Sequence, residues 1–170
     1  MKDLLKLSTS IFALFFATTA FGQLETTPSE SQFSEPGADA TALYRYITRY
    51  NPYNSWNLWP GKGKFYRGTE PHGTLLTTYV NQPAYFSARG KKVMAEGSMI
   101  VKENYTADKK FSALSVMYKI PGYNPSAGDW FWASYDAYGK VLSSGKAEAC
   151  INCHKQRQDN DYNFTGEVRK

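Results

Sequence analysis

The only two cysteines of this 170-residue chain stand three positions apart in Cys150-Ile151-Asn152-Cys153-His154, and one of its two histidines directly follows the second. No other feature constrains the fold as strongly. Two thiols separated by two residues on a helical turn match the two vinyl groups of a haem, and the adjacent imidazole reaches the iron from the same face. The pattern predicts one covalently attached haem c, with Cys150 and Cys153 as attachment points and His154 as the axial iron ligand. Three other chemistries use the same spacing: a short-range disulfide, a redox pair and half of a zinc site. Zinc would need two more ligands, and His72 is the only spare histidine. A redox pair usually follows a strand in a thioredoxin-like unit, whereas this pair lies sixteen residues or so from the C-terminus.

The N-terminus predicts export. Lys2 and Lys6 precede an apolar stretch from Leu7 to Phe21, and Ala20 and Gly22 supply the small residues of a cleavage site before Gln23. Residues 1–22 therefore read as a signal peptide and the mature protein as periplasmic; the alternative is a retained membrane anchor, for which the apolar core is short. Residues 23–38 are polar and acidic with two prolines and read as a disordered leader. Residues 39–170 then form one domain, long enough to bury a core. The net charge is +5, with basic residues scattered rather than clustered, so no nucleic-acid partner is expected. Thirteen Tyr, ten Phe and four Trp favour a β-rich fold.

Asp39 can cap a helix reaching about Tyr50, with Leu43, Tyr46, Ile47 and Tyr50 spaced along one face. Asn51-Pro52 stops it. The Pro- and Gly-rich stretch 52–74 reads as a long wrapped loop pinned by Trp56, Trp59, Phe65 and Tyr66. Strands are expected at Leu75–Val80, Ser98–Tyr105, Ala113–Ile120, Trp130–Tyr135 and Lys140–Ser143, with a second short helix over Tyr85–Met94 and a hairpin turn over 137–140. In the third strand Leu114, Val116 and Tyr118 share one face, and Ser115, Met117 and Lys119 the other. The fold class is α+β: a mainly antiparallel sheet with packed helices and a C-terminal haem-attachment helix.

From Pro52 to Thr165 the chain resembles the cytochrome P-460 family, which includes the β-sheet cytochromes c-prime-beta. The resemblance rests on Pro71-His72-Gly73 leading to Tyr79-Val80-Asn81, on Gly97-Ser98-Met99-Ile100-Val101-Lys102-Glu103, and on Asp129-Trp130-Phe131-Trp132. The Cys150–His154 motif and Asp161-Tyr162-Asn163-Phe164-Thr165 complete it. It implies a homodimer of antiparallel sheets and a five-coordinate haem iron that binds nitric oxide or oxidises hydroxylamine, passing electrons to a soluble redox partner protein. Two classes follow from it: an oxidoreductase acting on small nitrogen compounds, and a non-enzymatic nitric-oxide-binding or electron-transfer cytochrome.

The resemblance also assigns residues. Lys102 matches the lysine that enzymatic members join covalently to the porphyrin, and a lysine desolvated beside haem becomes a nucleophilic neutral amine. Its bland alternative is a solvated strand lysine, and the parity of Lys102 with Ser98, Ile100 and Asn104 leaves the face open. Ser115 matches the distal carboxylate of active members, and a hydroxyl is a poor general base. Glu103, Glu96 and Asp129 are the candidate substitutes, each with the alternative of a surface charge; His72 is the other titratable candidate, as a cap on the distal face and haem ligand or, between Pro71 and Gly73, as a turn histidine. Phe86, Phe111, Phe131, Trp130 and Trp132 are candidates for an apolar distal pocket, or else ordinary core aromatics.

Overall fold

The computed structural model describes residues 35–168; the expected signal peptide and most of the expected leader lie outside the described residues. Where the leader is described, the Glu35 carboxylate accepts a hydrogen bond from the Tyr118 hydroxyl at 2.8 Å.

Helix α1, Ala40–Arg45, starts at Asp39, whose side chain accepts from the Ala42 N–H at 2.7 Å and so satisfies one of the donors a helix start leaves open. It runs on as a π-helical turn, Tyr46–Tyr50. Leu43 and Ile47 are fully buried, but Tyr50 is exposed: the wider π turn rotates the last residue off the inward face.

The sheet has seven strands: β1 (Asn57–Leu58), β2 (Tyr66–Arg67), β3 (Leu75–Val80), β4 (Met99–Tyr105), β5 (Phe111–Lys119), β6 (Trp130–Asp136) and β7 (Val141–Gly145). Strands β3 to β7 form an antiparallel meander, and β1 and β2 both pair with the outer edge of β3. All five expected strands are present within two residues at each end. The two missed strands lie in the stretch read as loop; each is only two residues long, too short for alternation to register. Helix α2, Gln82–Arg89, follows β3 directly, with Asn81 accepting from the Ala84 N–H at its start. The β6–β7 hairpin turns at Gly139, whose φ of 86° suits glycine, with its Cα side against the Tyr44 ring.

Both sheet faces are covered. On one, Met99, Val101, Leu114, Val116, Tyr118, Phe131, Ala133 and Tyr135 pack beneath Leu43 and Ile47 of the N-terminal helix. On the other, Val80, Ile100, Met117, Trp130 and Trp132 meet α2 and the C-terminal segment. Alternation along β5 places Leu114, Val116 and Tyr118 in the first cluster and Met117 in the second, as the sequence pattern predicts.

Helix α3, Glu148–His154, carries the cysteine motif and is followed by a 3-10 segment, Lys155–Asn160. The chain then reverses through Asp161 and Tyr162, with φ of 52° and 64°. Asp161 fastens this turn to the sheet. Its carboxylate pairs with Lys119 Nζ at 2.7 Å and accepts from the Met94 N–H at 2.8 Å, and the Trp130 indole N–H donates to its carbonyl at 3.1 Å. Such an anchor is expensive to break, because removing either partner strands a buried charge. Among the described residues no helix is long and apolar enough to cross a membrane.

Candidate functional site

The register of the central strands lines up a polar row: Lys102 of β4 faces Ser115 of β5, which faces Ser134 of β6. All three line a cleft whose opposite side is α3, with Cys150, Cys153 and His154, closed by Phe164. The cleft opens to solvent, and about 750 Å³ in it and at its mouth is free of protein atoms. A second, more polar cleft opens from it past His72, Lys102 and Cys153 towards Lys62, Tyr66 and Arg67.

His154 is buried and its Nδ1–H donates to the Tyr162 carbonyl at 2.7 Å. That bond fixes the tautomer and leaves the Nε2 lone pair free, able to ligate a metal. The ring is walled by Trp132, with centroids 4.6 Å apart, and by Phe164 at 5.2 Å. Burial pushes the imidazole down to about 4, opposed by the Tyr162 bond and aided by Lys102. The neutral, ligating form is thereby favoured. The Asp161 anchor sets this up, since the turn it holds delivers the Tyr162 carbonyl.

The cysteines are half-buried and unlinked to one another. Burial, then the neighbouring Cys153, holds the Cys150 thiol above its ordinary value, whereas redox-active pairs depend on a depressed thiol. Among the described residues no three His, Cys, Asp or Glu side chains gather as a metal site. The disulfide, redox and zinc alternatives therefore find no support in this geometry.

Lys102 faces the cleft. Its residue is only 8% exposed, and among the described residues its amine meets no hydrogen bond or ion pair. Burial lowers it to about 8, with Cys153 acting slightly the other way. The solvated-lysine alternative is thus overturned, because β4 is covered on both faces. Ser115 also lines the cleft, accepting from Asn104 Nδ2 at 3.1 Å and lying 3.5 Å from His72 Nδ1. His72 sits in the turn before β3, its Nδ1 3.1 Å from Asn104 Oδ1 and its ring centroid 6.2 Å from that of His154. Burial brings it down to about 4, with Lys102 and His154 adding to the effect.

The other candidate bases lie elsewhere. Glu103 points to the opposite face, where its carboxylate accepts from the Tyr53 and Tyr105 hydroxyls at 2.9 and 2.7 Å. Glu96 is exposed, and Asp129 accepts from the Asn124 N–H in a turn. Of the five candidate pocket aromatics only Trp132 lines the cleft. Phe86 and Phe111 are exposed, Phe131 belongs to the far cluster, and Trp130 is engaged by Asp161. Sequence reasoning missed Asn104, whose signal was its parity with Lys102. It also missed Phe164 as a cleft wall, although the residue sits in the motif-trailing segment.

Two observations test the fit of a haem. The buried Trp132 indole N–H, on a side chain lining the cleft, has no partner among the described residues, which is unusual for a protein standing alone. Phe164 is 44% exposed beside His154, an apolar surface a planar macrocycle would cover. The residues fit.

A C-terminal helix presenting two thiols and a tautomer-fixed imidazole to a cleft on an antiparallel sheet defines a β-sheet protein of the c-type haem class. Residues 53–165 match the family model described as Cytochrome P460, and the chain belongs to the cytochrome P460 family. That membership supports a haem c cytochrome, and the two cysteines of α3 fit the attachment. No curated protein matches the chain.

Proposed function

We propose that this chain is an exported, periplasmic mono-haem c cytochrome that binds, and slowly oxidises, small nitrogen compounds such as hydroxylamine and nitric oxide. Cys150 and Cys153 hold the haem, and His154 Nε2 ligates its iron. The haem supplies a ligand site and a one-electron redox centre, with a soluble electron-transfer protein as partner. The observation that carries the reading is the His154 Nδ1–H bond to the Tyr162 carbonyl at 2.7 Å, which readies Nε2 for a metal.

One feature of the cleft favours slow turnover and a second bears on which class the protein joins. Ser115 stands where active relatives are expected to place a carboxylate, so the strongest proton acceptor is absent from that position. Lys102 is desolvated and unpaired beside Cys153, which suits an amine that reacts with the porphyrin edge. A link there would mark the enzymatic class, and an unlinked lysine the nitric-oxide-binding class.

The test is the absorption spectrum of the ferrous protein beside steady-state hydroxylamine oxidation with a chemical electron acceptor. A strongly red-shifted Soret band is expected if Lys102 is linked, and an ordinary c-type band otherwise. Ser115→Glu should raise hydroxylamine turnover about a hundredfold, the low end for restoring a general base. Fast wild-type turnover, unchanged by Ser115→Glu, would remove Ser115 from the account.

A further inference from the structure

Two imidazoles, His72 on the turn before β3 and His154 at the end of α3, line the same two clefts. The protein settles which nitrogen of each ring keeps its proton. At His154 the Tyr162 carbonyl takes the Nδ1–H. At His72 the partner is the Asn104 amide, whose nitrogen donates to the Lys102 carbonyl at 3.1 Å and the Ala113 carbonyl at 3.2 Å. Its Oδ1 is therefore the atom turned to the 71–73 turn, where the Gly73 N–H donates to it at 3.3 Å and His72 Nδ1 approaches to 3.1 Å. A carbonyl oxygen can only accept, so His72 Nδ1 carries the proton. Burial favours the neutral form of both rings. Each is left with a bare lone pair on Nε2, and among the described residues nothing donates to either.

The spacing of the rings decides what the two lone pairs can share. Their centroids are 6.2 Å apart and their planes stand at 88°. A ligating imidazole nitrogen lies about 2 Å from its metal and about 1.2 Å from its own ring centre, so two imidazoles on opposite sides of one ion have centroids roughly 6 Å apart. The gap takes an iron and nothing more. His72 is also held in place. A side-chain carbon on Gly73 would collide with the Tyr105 backbone, so the turn seats directly on β4, and Asn104 of that strand grips the ring.

We propose that His72 Nε2 is the second axial ligand of the haem iron, opposite His154 and with the two rings near perpendicular. The resting iron is then six-coordinate, in contrast to the five-coordinate iron that the family resemblance implies. Small ligands reach it only by displacing His72. The binding-competent form is a minor one, and apparent affinity falls by its fraction. Asn104 is a positioning residue, since its amide oxygen keeps the His72 ring in the ligating tautomer. This inference rests on the reading of His154 as the iron's ligand.

The experiment uses the haem-loaded protein and reads the ferric iron by electron paramagnetic resonance. A low-spin signal is expected at neutral pH, of the strongly anisotropic kind that perpendicular axial imidazoles give. His72→Ala should turn it high-spin, and added imidazole should restore the low-spin state, which a misfolded variant would not allow. Carbon monoxide should bind ferrous His72→Ala at least about tenfold more tightly than the wild type, since no side chain has to leave. Asn104→Leu should stay low-spin with a carbon monoxide affinity between the two.

A high-spin wild-type iron overturns the proposal, and this measurement needs no variant. So does a low-spin signal that persists unchanged in His72→Ala, which would give the sixth position to another side chain. A rhombic low-spin signal would overturn the perpendicular placement of the rings. Failure of the underlying reading looks different: His154→Ala would leave the wild-type signal unchanged.

Discussion

Strand β4 shows two ways of being buried. Its Met99 and Val101 face the mainly apolar cluster under α1, while Ile100, Lys102 and Asn104 face the α3 side, where Lys102 lines a cleft and Asn104 is hydrogen-bonded to His72. Residues one position apart thus do opposite work. The first face stabilises, at about 1.5–3 kcal/mol for each buried aliphatic side chain. The second carries a buried lysine that the fold must tolerate. The cleft's floor is therefore held in shape by packing on the sheet's other side.

The largest effect should come from the cleft face. With Cys150 and Cys153 both changed to alanine, acidified organic solvent should extract the haem completely, as read by the pyridine haemochrome of the washed protein. Haem that stays bound would reveal a second covalent link, with Lys102 as the suspect.

On the apolar face, Leu114→Ala should cost about 2–5 kcal/mol in denaturant unfolding, since Leu114 is 2% exposed, with the haem spectrum unchanged. A spectral shift of the size produced by His154→Ala would end the division between the faces.

Lys102→Met should do the reverse and stabilise the protein near neutral pH if the amine is unlinked, by up to about 3 kcal/mol. The amine falls from 10.5 to about 8 on burial, so below pH 8 it is charged in both states and the desolvation cost is fully present. Between pH 8 and 10.5 the unfolded chain binds the extra proton, and wild-type stability rises towards that of the variant. Comparing the two proteins cancels Tyr53 and Tyr105, whose raised values lower stability above pH 10. Equal unfolding midpoints at pH 7 and 9.5 would mean that Lys102 carries no titrating amine.

The smallest effect is expected at Tyr135→Phe. Its hydroxyl donates to the Ala40 carbonyl at 2.7 Å, and losing that buried bond should cost about 1 kcal/mol. A loss equal to that of Leu114→Ala would show that this bond, rather than apolar packing, holds α1 to the sheet.

The motif Cys150–His154 determined its own geometry, because the spacing of two thiols and an imidazole on a helix is a local property. The same holds for strands β3 to β6, whose lengths and alternation exceed any competing helical period. Residues whose meaning depends on partners far along the chain were not legible. Parity alone left Lys102 on either face, because both sides of the sheet are covered and the usual polar-out signal is absent. His72 and Asn104 lie 32 positions apart and meet only through the pairing of β3 with β4. Asp161 reads as a turn residue, yet it ties the turn to Lys119, Met94 and Trp130, and so aims the carbonyl that orients His154. Sequence alone determined which chemistry α3 can perform, since that depends on neighbours along one helix. Tertiary structure decided what faces it, since strand register and the Asp161 anchor bring together atoms that the chain keeps apart.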